Sequence, residues 1–132
     1  MPTFSSLTEA REYFSKDLFA MSNNMTLDAL TENGAVCCMQ ITERHQNAEG
    51  GLMGGVILAL ADFTFAAAAN NVHRPTVAQQ VSMNFLNASR GEKLIATASC
   101  LKSGRTSCVY VISIKDDLGK DIAQATFTGF KL

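Results

Sequence analysis

The chain has 132 residues, of which 47% are hydrophobic and 17% charged, with a formal net charge of −1. That length suits a single domain spanning residues 1–132, and the near-neutral balance excludes a charge-driven attraction to nucleic acid or to an anionic membrane. The four cysteines (Cys37, Cys38, Cys100, Cys108) form no CxxC and the two histidines offer no zinc spacing, so the thiols read as small core or strand residues and no metal site is expected.

Met1 to Ser6 is too polar for a secretory leader, which makes a reducing cytoplasm the expected compartment. Ser6 to Ala20 then reads as an amphipathic helix. Ser6-x-x-Glu9 fits a capping box, and Leu7, Ala10, Phe14 and Leu18 recur at helical spacing while Arg11, Glu12, Lys16 and Asp17 face water. Met21 to Asn33 reads as a polar connection. Gly34 opens a strand over Ala35 to Arg44. From Arg44 to Asn71 the chain changes character: between Gly50 and Val72 it carries one formal charge, Asp62, among Val56, Ile57, Leu58, Leu60, Phe63, Phe65 and the alanines from Ala66 to Ala69. This predicts a loop ending in a glycine-lined helix N-terminus, then a helix of about 15 to 17 residues, roughly 25 Å long. Being apolar on every side, the helix is expected to be enclosed by the rest of the fold. Leu52 to Ala69 is long enough for a membrane span, but a central Asp costs about 2.5–3.5 kcal/mol on insertion, so no membrane partner is expected.

Beyond the His73-Arg74-Pro75 loop, strands follow in quick succession. Val77 to Asn87 alternates, with Val77, Val81, Met83 and Phe85 on one face and Gln80, Ser82 and Asn84 on the other. Lys93 to Lys102, Arg105 to Lys115 and Lys120 to Phe130 complete the set, divided by turns at Gly91-Glu92, Ser103-Gly104 and Asp116 to Gly119. The order of elements is helix, strand, long buried helix, four strands. It lacks the β-α-β alternation of a doubly wound sheet.

At this point a family resemblance becomes specific. The run HxNxxGxxxGG followed by an Asp seven residues later (His45, Asn47, Gly50, Gly54, Gly55, Asp62) resembles the hotdog-fold acyl-CoA thioesterases of the PaaI-like, phenylacetic-acid-pathway branch. NFL with GEKL between Asn84 and Leu94, SGR at Ser103 to Arg105, and DxxGKxIAQAxFTxF from Asp116 to Phe130 are similar to the same branch. The resemblance covers about residues 34–130. It implies an α+β hotdog fold, with the long helix wrapped by a five-stranded antiparallel sheet and an N-terminal helix added. It further implies a homodimer with antiparallel central helices, extending to a homotetramer. The substrate would be a small or aromatic acyl-CoA, with coenzyme A part of the substrate and no separate cofactor. Two departures stand out. Met53 occupies the place where the family usually carries His before Gly-Gly, and Asn87-Ala88 replaces an Arg-Pro pair.

The chemistry can be argued beside the resemblance. Thioester hydrolysis needs donors for the developing oxyanion and a base or nucleophile across the carbonyl carbon. A helix N-terminus supplies unpaired N–H groups, and Gly54 and Gly55 let a carbonyl approach the backbone. Asp62, as nucleophile or as the base that activates water, lies about 12 Å along the helix from Gly54, too far to reach the same carbonyl. The two halves cannot work within one chain, and the implied antiparallel dimer brings Gly54 and Asn47 of one chain to Asp62 of the other. Asn47 would orient the water or the carbonyl, against the alternative of a turn-stabilising loop residue. His45 reads as structural rather than catalytic. Met53 stands beside the thioester site and Gln80 could contact substrate, although a cross-strand bond is the plainer role. Arg90, Lys102 and Arg105 are the candidates to meet coenzyme A phosphates, with Gly104 shaping the hairpin between the last two. The alternative is a hotdog protein that binds acyl-CoA with lost or weak hydrolysis, motivated by Met53.

Overall fold

Six antiparallel strands and three helices account for the chain, which the computed structural model describes over all 132 residues. They are α1 (Leu7–Phe14), α2 (Leu18–Ser22), β1 (Met25–Thr31), β2 (Gly34–Gln40), α3 (Gly54–Val72), β3 (Thr76–Phe85), β4 (Lys93–Ser103), β5 (Ser107–Asp116) and β6 (Asp121–Lys131). The strands pair in the order β1-β2-β4-β5-β6-β3. One sheet curls round one long helix, which is the hotdog fold that the resemblance implies.

The expected five-stranded sheet is corrected to six. The segment read as a polar connection contains β1, whose Met25 and Leu27 are buried while Thr26 and Asp28 point outward. Only two inward residues mark the alternation before a bulge between Leu27 and Ala29, so the period was too short to register. The single N-terminal helix is also corrected. It breaks after Phe14, and Asp17 restarts it as α2 by accepting from the Ala20 N–H at 3.0 Å. Half of the predicted capping box forms: the Ser6 hydroxyl accepts from the Glu9 N–H, but the Glu9 carboxylate turns to Ser5 instead of Ser6. The strand expected to reach Arg44 stops at Gln40, and Glu43–His45 is a short 3₁₀ turn.

Helix α3 runs for 19 residues, slightly longer than expected. Leu60, Phe65 and the alanines from Ala67 to Ala69 are buried in the core, and Phe63 is buried edge-on against Phe14 of α1 at 5.8 Å between centroids. The Phe65 ring stacks on Phe127 at 5.0 Å between centroids and meets Tyr110 edge-on at 5.7 Å. Gly129 makes that stack possible, because a Cβ there would lie 2.7 Å from the Phe65 ring. Thr64 returns its buried hydroxyl to the Leu60 carbonyl at 2.8 Å. At the C-terminus Asn70 ties the helix to β3, accepting from the Thr76 N–H at 2.9 Å and donating to the Thr76 carbonyl at 3.2 Å. The apolar length that would also suit a membrane span is spent on this sheet: α3 is the core helix of a soluble fold.

Enclosure is incomplete, however. Gly55, Leu58, Ala59, Asp62 and Ala66 lie along one stripe of α3 at helical spacing and are not buried. Beside the stripe runs β3, which pairs only with β6 and leaves its other edge free. A bulge between Ala78 and Gln80 also corrects the alternation read from the sequence: Val77 falls opposite Phe130 on the outer face, while Val81, Met83 and Phe85 fall opposite Phe127, Ala125 and Ala123 on the helix side.

Candidate active site

The loop before α3 is built by backbone and side-chain hydrogen bonds that aim the helix N-terminus outward. The Met53 N–H donates to the His45 carbonyl at 2.8 Å, and the Asn47 N–H to the Gly51 carbonyl at 2.7 Å. The Asn47 Oδ1 accepts from the Glu49 and Gly51 N–H groups at 2.9 and 3.1 Å, the arrangement of a turn-stabilising Asn. Gly50 holds the turn with φ +83, a backbone angle that favours glycine. His45 is buried beneath: its Nδ1 accepts from the Thr42 N–H and its Nε2 lies 3.1 Å from the Asn23 Oδ1. Burial, aided by the neighbouring Arg44 cation, lowers its pKa and favours the neutral imidazole. With both ring nitrogens engaged, His45 braces the loop against the end of α2.

Two cavities flank the helix N-terminus. One of about 460 Å³ is lined by Asn47, Gly54, Ile57, Phe85, Ser89 and Ile122. The tip of the Phe85 ring lies against Gly54, 3.3 Å from where a Cβ would stand, so a side chain at position 54 would crowd the ring. From sequence alone Phe85 is one apolar position of an alternating strand, with no site role. Its position over the helix end depends on the β3–β6 register. The second cavity, about 430 Å³, is lined by Gly55, Leu58, Ala59, Asp62, Gln80 and Val81, among others. Thus Asn47 and Gly54 share one cavity, while Gly55, Asp62 and Gln80 share the other.

Met53 is the N-cap of α3, and the Gly55 N–H donates to its thioether sulfur at 3.0 Å. Asp62 makes no hydrogen bond within the chain and its side chain reaches solvent, yet the apolar groups around it raise its pKa by desolvation. The Asp17 carboxylate at the start of α2 adds to the rise. That neighbour is unexpected from sequence, where Asp17 belonged to the water-facing side of one continuous helix. Gln80 donates weakly to the adjacent Val81 carbonyl at 3.4 Å and pairs opposite Thr128 on the strand side of the second cavity.

The four proposed phosphate-side residues do not meet within one chain. Arg90 follows β3 at the end of the sheet that holds the α3 N-terminus, where Phe85 pairs with Ala123 and Leu94 with Asp116. Lys102, Gly104 and Arg105 lie at the opposite end, beside the α3 C-terminus, about 28 Å of helix away. The Gly104 N–H closes the hairpin on the Ser107 carbonyl at 2.8 Å, and the Lys131 ammonium donates to the Gly104 carbonyl at 2.6 Å. The cysteines take no part: burial pushes the Cys37 and Cys38 thiols up to about 12, so neither is a thiolate near neutral pH.

Comparison with known proteins agrees with this fold. The thioesterase superfamily profile matches residues 49–123, the stretch from the helix entry through β5 into the start of β6. The acyl-coenzyme A thioesterase PaaI of Escherichia coli is 30% identical over 115 residues, covering 86% of this chain and 82% of that protein. Its solved structure superposes with a TM-score of 0.84 at 25% identity, over 96% of each chain. A hypothetical thioesterase protein from Streptococcus pneumoniae, solved with coenzyme A, is similar at 26% identity with a TM-score of 0.81, over 89% of this chain and 94% of that one. A hotdog sheet round a glycine-entered helix, together with these matches, places the chain in the thioesterase superfamily, among the PaaI-like proteins.

Proposed function

We propose that the protein is an acyl-CoA thioesterase that hydrolyses a small or aromatic acyl-CoA at a site shared between two antiparallel copies of the chain. The observation that carries this reading is the uncovered stripe of α3. It presents Asp62 on an otherwise apolar face, next to the free edge of β3, while the N–H donors lie two helical turns away. A second copy packed antiparallel on that stripe covers it, pairs the β3 edges, and sets Asp62 of the partner subunit opposite Gly54. With the two helices antiparallel, the C-terminal end of the partner's α3 lies at the N-terminal end of this one, so the partner's hairpin with Lys102 and Arg105 comes to the Arg90 end. The three cations then frame one entrance suited to the phosphates of coenzyme A. The Gly54 and Gly55 N–H groups polarise the thioester carbonyl, and the carboxylate attacks it or activates the attacking water. Asn47 shapes the loop and faces the reacting groups. The pocket of Phe85, Ile57 and Ile122 is more apolar than polar and about 460 Å³ in volume, which suits a short chain or an aryl ring.

The outer face of the sheet, with Ile95, Val109 and Val111 only partly buried, offers a second contact for a homotetramer. The free thiols of all four cysteines suit a reducing cytoplasm. One observation favours a second reading, acyl-CoA binding with weak hydrolysis: the Met53 thioether covers one of the two carbonyl donors.

The test is a panel of acetyl-, hexanoyl-, benzoyl- and phenylacetyl-CoA, following thiol release and, separately, binding by calorimetry. Hydrolysis of short or aromatic members is expected. Tight binding without thiol release selects the binding protein, and neither binding nor release removes both readings.

A further inference from the structure

The contact between Met53 and Gly55 is specific enough to carry a consequence of its own. In an α-helix the first N–H groups have no intrahelical partner. Here the Gly55 N–H is occupied by the Met53 sulfur at 3.0 Å, and a Cβ on Gly55 would stand 2.7 Å from that sulfur. The side chain therefore folds back over the helix end, although it is 47% exposed and has no buried pocket to hold it. A thioether is a weak acceptor on a flexible stem, whereas an acyl carbonyl, and still more an oxyanion, is a strong one.

We propose that Met53 is a displaceable cap on the Gly55 donor: its sulfur holds the N–H in the free protein and gives way to the substrate carbonyl, making Met53 a positioning residue for the thioester. This rests on the thioesterase reading above. Because the competition is at the carbonyl, which every substrate shares, it acts equally on all acyl groups. A residue that merely walled the acyl pocket would discriminate by chain length. The strength of the acceptor at position 53 then sets activity. Leucine has similar bulk and no acceptor, so it leaves the N–H free. Glutamine offers a carbonyl oxygen at similar reach and competes better than sulfur.

The experiment compares wild type, Met53→Leu and Met53→Gln in two ways. The first is the Gly55 amide proton shift by NMR without substrate, which needs no activity. The second is kcat/KM on acetyl-, hexanoyl- and phenylacetyl-CoA. The expected Gly55 shift moves upfield in Met53→Leu, as the hydrogen bond is lost, and downfield in Met53→Gln. The expected kcat/KM rises about three-fold in the first variant and falls about ten-fold in the second, by the same factor on all three substrates. An unchanged Gly55 shift in both variants overturns the cap, whatever the activity. So do activity ratios that vary with acyl length, which assign Met53 to the pocket wall. If the shifts move as expected but no form hydrolyses any substrate, the resting sulfur–amide contact stands, while the thioesterase reading fails and takes the positioning role with it.

Discussion

At the scale of the residue, two aspartates in opposite environments make opposite predictions. Asp62 has a pKa raised by desolvation and by Asp17. Folding therefore favours its protonated form. That contribution to stability is full below the unfolded value near 4 and is lost as pH rises through the higher folded value. Asp62→Asn is isosteric and uncharged. It is expected to abolish thiol release while leaving the melting temperature at pH 7 unchanged or raised, with the difference from wild type vanishing near pH 4. A variant that unfolds with unchanged activity per folded molecule makes Asp62 a structural residue. Asp116 is the converse. It is buried at the end of β5, and the Lys120 N–H, with the Ser89 hydroxyl and Leu118 N–H, holds its carboxyl below the usual range. Its contribution is present above the unfolded value near 4 and disappears as pH falls through the lower folded one. Asp116→Asn should melt earlier than wild type at pH 7, and thermal scans down to about pH 2 should show the gap closing.

At the scale of the element, β3 and α3 form the face that a second chain would cover. Val81 lines the Asp62 cavity from a strand whose outer edge is unpaired. An exposed strand edge of this kind is a template for pairing, and a charge placed on it opposes that pairing. Val81→Lys is expected to weaken self-association at least ten-fold, about 1.4 kcal/mol, and to lower thiol release in step with the loss of dimer. Sedimentation and activity measured across the same concentration series provide the check. A monomeric variant with full activity would end the shared-site proposal.

At the scale of the whole molecule, about 12 Å of helix separates Gly54 from Asp62, and under the shared-site proposal the two meet one thioester only across a pair of chains. Subunits carrying Asp62→Asn and subunits carrying Asn47→Ala should each be inactive alone. After mixing and exchange, heterodimers contain one doubly altered site and one that is wild type. Statistical exchange of a symmetric dimer then restores about a quarter of the wild-type activity. No recovery despite confirmed heterodimers would mean that each chain works by itself.

The sequence by itself determined the central helix, the solitary Asp62, the glycine entry and the last four strands, because these are local signals: sustained apolar runs, alternation, and turn residues such as Gly119 with φ +83. It also determined the order of elements from β2 onward and the spacing of Gly54 from Asp62, on which the shared-site proposal rests. What escaped it depended on distant partners. Strand β1 rests on Met25 and Leu27 finding the core beside β2, and Phe85 reaches Gly54 through its register with β6. The bulge at Ala78 to Gln80 turned Val77 to the other face. The placement of Arg90 apart from Lys102 and Arg105, and of Asp17 beside Asp62, came from how the sheet and α2 lie against α3. Tertiary packing decided these points because register, sheet order and helix docking are set by contacts between residues far apart in the chain, and no local pattern encodes them.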